Sequence, residues 1–179
     1  MTSKIGMDED LQRRLGLADG IVKVLFPTAL GWCLLSLTLG AYQSALGPAL
    51  AMLGLAAALL LKSRFNSMIT RVIWLVAIEV GMFISILAVH PSSYASFLLL
   101  IRATIPLMVF SPRENKFVRW GLVGSATALW CLAWWLHRFV LTSWEVGEAL
   151  ASSFFAPLTG LTVFLAILFA IGYFDRLSS

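Results

Sequence analysis

The chain has 179 residues, of which 60% are hydrophobic and only 12% charged, with a net charge of +4. A soluble domain carries roughly 25% charged residues, and half that share cannot cover a water-facing surface. The composition therefore argues against a soluble enzyme and against a disordered chain, and two cysteines are too few for a disulfide framework.

A hydrocarbon core of about 30 Å takes about 20 apolar residues at 1.5 Å each. Six stretches meet or approach that length, at 21–41, 46–61, 72–89, 95–110, 118–136 and 154–174. They predict an all-α membrane protein, a single six-helix bundle over 21–174, with residues 1–20 and 175–179 outside it. Before the first span, Leu11, Leu15, Ala18 and Val22 recur at helical spacing with Gln12, Arg13 and Arg14 opposite. That pattern predicts a short amphipathic helix lying on the membrane surface. The acidic flank at Asp8, Glu9, Asp10 and Asp19 is unlike the basic start of a signal peptide, so the first span is expected to be retained.

Tyr42–Ser44 and Gly47-Pro48 are expected to turn the chain into the second span, whose Gly47, Ala51, Gly54 and Ala58 form a small-residue ridge suited to close helix packing. A charged turn at 62–67 leads to the third span, which carries Glu79. An uncharged turn at His90-Pro91 leads to the fourth, which carries Arg102, Thr104 and Pro106. After a second charged turn at 111–116, the fifth span offers Gly121, Gly124, Ser125 and Ala128 as a further ridge. Ser143 is expected to cap a short outer helix over 144–153 with Glu145 and Glu148 on its solvated face. Ala166 and Ala170 supply the packing face of the sixth span.

Orientation follows from the basic residues. Eleven of the thirteen (Lys4, Arg13, Arg14, Lys23, Lys62, Arg64, Arg71, Arg113, Lys116, Arg119 and Arg176) fall at one set of helix ends. Arg138 alone falls at the other, and Arg102 lies within a span. By the positive-inside rule both termini are cytoplasmic. Arg64, Arg113, Lys116 and Arg119 are placed to meet anionic lipid head groups on that side. Trp74 and Trp120 at the inner boundary, with Trp134, Trp135 and Trp144 at the outer one, read as interfacial anchors.

Glu79 and Arg102 are the ionisable residues well inside spans. A charge at the bilayer centre costs about 2.5–3.5 kcal/mol on insertion scales, so both need a reason to be there. Glu79 lies about 12 Å beyond Arg71 along its helix and Arg102 about 13–14 Å before Ser111, so the depths match across antiparallel neighbours. Pro106 lacks the N–H that would bond the carbonyl of Arg102, which predicts a kink at the charged position, with Thr104 as a nearby hydroxyl. The pair is expected either to lock two helices or to form a site for an anion, a lipid head group or a proton.

The sequence contains no nucleophile–base constellation, no phosphate- or dinucleotide-binding glycine pattern and no metal-ligand spacing. His90, His137, Glu145 and Glu148 share the outer side without such spacing. No cofactor and no nucleic acid is expected. In size and layout the chain resembles the small polytopic subunits of bacterial cell-envelope machines, although the acidic, glycine-spaced pattern of their rod-shape member is missing from the early spans. The compact loops and the absence of catalytic residues favour a non-enzymatic scaffold, assembly or sensory subunit of the bacterial inner membrane, acting with protein partners or as a homo-oligomer. The alternatives are a transporter or channel subunit using Glu79 and Arg102, and a lipid-acting membrane enzyme.

Overall fold

The computed structural model describes residues 2–61, 64, 66–112 and 114–178, and among these the side chains of 10–61, 64, 66–112, 114–169 and 171–172. The described chain is helical, with α1 (Thr2–Thr38), α2 (Tyr42–Leu61), α3 (Ser67–Ala88), α4 (Phe97–Arg102), α5 (Ile105–Val109) and α6 (Lys116–Phe139). A short α7 (Glu148–Leu150) runs through a π-helical turn (Ala151–Phe155) into α8 (Ala156–Ser178). Among the described residues, four helical stretches are long and apolar enough to cross a membrane: Asp10–Thr38, Tyr42–Leu61, Ser67–Ala88 and Glu148–Phe169. They coincide with the first, second, third and sixth expected spans. The fifth corresponds to the 24-residue α6, which has the length but is diluted by four tryptophans and by basic residues at both ends. In the fourth, α4 and α5 are separate short helices.

The amphipathic surface helix expected over the first 20 residues is not a separate element. Its residues form the start of α1, which continues past Pro27 to Thr38. Arg14 does not lie opposite the apolar stripe but shares the buried face with Ala18 and Val22, at i, i+4 and i+8. The first turn is also displaced. It falls at Leu39–Ala41, where Gly40 takes a φ of 72° that costs little without a Cβ. Gly47 and Pro48 are inside α2. Pro48 cannot donate to the carbonyl of Ser44, and Ser85 Oγ of α3 donates to it instead at 2.9 Å.

Helices α2 and α3 form the tightest pair. A Cβ on Gly47 would overlap the Gly81 carbonyl oxygen and Ser85 Oγ, and one on Gly54 would overlap Ala77 Cβ. Ala51 and Ala58 are buried in the same contact, so the expected ridge is a packing face, as close approach at small residues allows. The ridge of α6 is not. Gly121, Gly124, Ser125 and Ala128 are exposed, and α6 packs inward through Leu122, Ala126 and Ala133. On that inward side Ala133 packs with Ile86 of α3 and Leu99 of α4. Ala166 is half-buried, and the side chain of Ala170 lies outside the described residues.

At the Arg71 end, Asn66 accepts from Met68 N (3.0 Å) to cap α3, and Asn115 accepts from Phe117 N (3.0 Å) and Val118 N (3.3 Å) to cap α6. At the His90 end, Val146 pairs with Val89. The outer helix starts at Glu148 with Gly147 before it, so Ser143 caps nothing there. Glu145 is outside that helix, and its Oε2 accepts from Ser44 N at 2.9 Å, in the first turn of α2. A carboxylate at a helix N-terminus complements the free N–H groups and the dipole.

Leucines, valines and phenylalanines line the outside, among them Leu34, Leu53, Leu60, Phe164 and Leu168. An apolar exterior of this extent fits lipid as the solvent, and the apolar helices fit a multi-pass membrane protein.

Candidate functional site

The interrupted helical segment formed by α4 and α5 organises the polar interior. Pro106 stands in the first turn of α5, and Ala103 and Thr104 separate the two helices. Breaking a helix frees carbonyls, and away from water each must find a donor. Three arginines supply donors around this segment.

Arg102, fully buried at the end of α4, donates from Nη1 to Leu122 O of α6 and from Nη2 to Leu75 O of α3, each at 2.8 Å. Its Nη2 also lies 2.7 Å from Glu79 Oε2. That approach is off the N–H axis. Glu79 Oε2 therefore gains charge attraction without a directed hydrogen bond, and Arg102 Nε likewise makes none. One guanidinium thus ties three helices together. Leu75 is four residues before Glu79, so both contacts to α3 lie on one face of that helix.

The other two arginines sit at the Arg71 end. Arg14 Nη1 donates to the carbonyls of Met108 (3.0 Å), Phe110 (3.0 Å) and Leu107 (3.3 Å), while its Nε pairs with Asp10 at 3.0 Å. Asp10 Oδ2 in turn accepts from Ser111 Oγ at 2.8 Å. Arg71 Nη1 donates to Val109 O, and Nη2 pairs with Glu114 Oε1 at 2.5 Å. Glu114 Oε2 also accepts from Ser111 N at 2.7 Å. The consecutive carbonyls of residues 107–110, at the C-terminal end of α5, are thereby all capped by guanidinium donors, which also complement the dipole there.

The expected site residues distribute as follows. Glu79, Arg102 and Pro106 come together, all buried. Thr104 does not join them, because it is exposed and its Oγ1 donates to Ile101 O at 2.7 Å. A hydroxyl can satisfy itself on its own preceding turn. Trp74 is not an interfacial anchor. It is 2% exposed and packs in the core with Val22, Leu55 and Phe110, because its position on α3 faces α1 and α2. Trp120, Trp134 and Trp135 are exposed. Trp144 is half-buried, its ring 4.5 Å from that of His90 and 6.4 Å from that of His137. The two histidines thus flank an indole, while Glu145 is engaged on α2. No group of three or more metal-ligating side chains occurs among the described residues.

Of the residues expected to meet lipid head groups, Arg64 and Lys116 are exposed and Arg119 is half-buried beside the Trp120 ring. Arg113 lies outside the described residues. Sequence reading missed the roles of Arg14, Arg71 and Glu114, and the small residue Gly81 facing Gly47. The signal for the arginines was the helix end ahead of Pro112. The last carbonyls of a helix have no partner within it, and both arginines lie within a helical turn or two of the expected inner boundary.

Both terminal nitrogens of Arg102 are held by backbone, and neither of the two described cavities is lined by Arg102 or Glu79. No family model matches the chain, and no curated protein or solved structure is significantly similar to it.

Proposed function

We propose that the chain is a non-enzymatic, six-span subunit of a bacterial inner membrane, with both termini cytoplasmic, that serves as a scaffold, assembly or sensory part of a larger complex. The observation that carries this reading is the closed state of the buried pair. Arg102 is 0% exposed and Glu79 3%, and the guanidinium is spent on α3 and α6. The most expensive charges in the chain are accounted for by holding helices together. The eleven-to-one distribution of basic residues supports the orientation. The interrupted α4–α5 segment runs from the His90 end to the Arg71 end and, with α6, supports a count of six crossings. The small-residue face left open on α6 supports assembly with a second helix, since small residues drive helix association in lipid.

The test is replacement of the pair. Arg102→Ala leaves a buried carboxylate unpaired and should cost about 3–5 kcal/mol, read as loss of folded protein in detergent. The apolar double replacement Glu79→Leu/Arg102→Met should restore folding, and cells carrying it in place of the native gene should grow as wild type. A double variant that folds fully yet fails to support growth would transfer the reading to transport through the pair.

A further inference from the structure

The described helices border a second feature that the ion pair does not use. A cavity of about 180 Å³ lies toward the His90 end, walled by Thr28 and Trp32 of α1, Met82 of α3, Leu98 of α4, and Phe155 and Thr159 of the last helix and its π turn. Gly47 and Gly81, whose backbones touch, form its back. No charged side chain lines it.

Several lining residues are nominally polar, yet their hydroxyls are already committed. Thr28 Oγ1 donates to Val24 O and Thr162 Oγ1 to Leu158 O, each at 2.8 Å. Ser85 Oγ donates to Ser44 O, and Ser36 Oγ meets Ser44 Oγ at 3.4 Å. These side chains turn carbon toward the space. Apolar cavities of comparable size stay dry and accept hydrocarbon guests, and an empty one forfeits the dispersion contacts of its lining.

Two independent features point to the guest and its route. The elements around the cavity are membrane-crossing helices, so the apolar molecule at hand is a lipid chain. Phe155, which lines the cavity, ends the π-helical turn Ala151–Phe155, an irregularity that recurs at functional sites. There Trp32 and Phe155 meet at 5.5 Å. Beyond that contact α8 turns Leu161, Phe164, Leu165 and Leu168 outward, each about half exposed. We propose that the cavity takes a segment of one hydrocarbon chain of a bilayer phospholipid, inserted sideways between α1 and α8, with the rest of that chain lying outside it.

The test uses the full chain reconstituted in vesicles of phosphatidylethanolamine and phosphatidylglycerol, extracted in detergent, washed, and weighed by native mass spectrometry. Wild type should keep one phospholipid per chain. Ala29→Phe, which fills the cavity from α1, should reduce the retained fraction at least tenfold. Leu53→Phe, on the outward face of α2, should leave it unchanged. Should Ala29→Phe not fold, Thr162→Leu fills the same space from α8. Wild type that keeps no phospholipid overturns the proposal without reference to any variant. So does full retention in a folded cavity-filling variant, or equal loss in Leu53→Phe.

Discussion

A guanidinium carries five N–H donors in a planar fork; Arg14 and Arg71 spend theirs on both a carboxylate and main-chain carbonyls, while Arg102 donates to two carbonyls and meets Glu79 by charge alone. Each residue is therefore judged by its partners rather than by its charge. The same holds for glycines. Gly47→Ala places a Cβ against the Gly81 carbonyl and should push α2 from α3, destabilising by about 1–3 kcal/mol. Gly121→Ala meets nothing within 4 Å and should be neutral or stabilise by up to about 1 kcal/mol through helix propensity. Melting of the two variants in one detergent separates them. Both glycines stand in small-residue ridges that read alike in the sequence. What distinguishes them is the helix opposite, Gly81 in one case and open space in the other.

Among elements, α5 has little intrinsic stability. Five residues cannot sustain a helix alone, since nucleation is unfavourable and most helical stability comes from packing. Its C-terminal carbonyls depend on α1 and α3 through Arg14 and Arg71. Arg14→Ala should leave buried acceptors unpaired, at about 1–3 kcal/mol. Amide hydrogens over 105–112 should then exchange faster, while those of the α2–α3 pair keep their protection. Uniform loss of protection across the bundle would show instead that α1 is integral to global stability. The existence and span of α2 and α3 were legible from apolar length alone. The continuity of α1 was not, because the tertiary partners of Arg14 decide which face of residues 11–22 turns inward.

For the whole molecule, topology is the property most open to direct measurement. With Cys33 and Cys131 replaced by serine, single cysteines at Asn115 and Gly147 should react with a membrane-impermeant maleimide from opposite sides of the bilayer, Asn115 from the cytoplasm. Labelling of both from one side would remove the fifth crossing and with it the six-span reading. Both positions lie at the ends of described helices, so reactivity reports side rather than burial. The molecule is sewn together at both ends by contacts distant in sequence. Asp10 meets Ser111 at one end, and Glu145 meets Ser44 at the other.

The sequence by itself determined the class of this protein and where most of its helices run, because membrane insertion answers to apolar length and charge position, both of which are local. It also matched the depths of Glu79 and Arg102, since helical rise converts residue number directly into distance. Tertiary structure alone decided which small-residue ridge packs, that Trp74 is core rather than anchor, and that Glu145 serves α2. Each of these depends on what stands across an interface, and in lipid every helix has an apolar surface on all sides. Hydrophobic pattern then carries no information about which face is inside. That choice is made by shape complementarity at glycines and by the few donors that a broken helix requires.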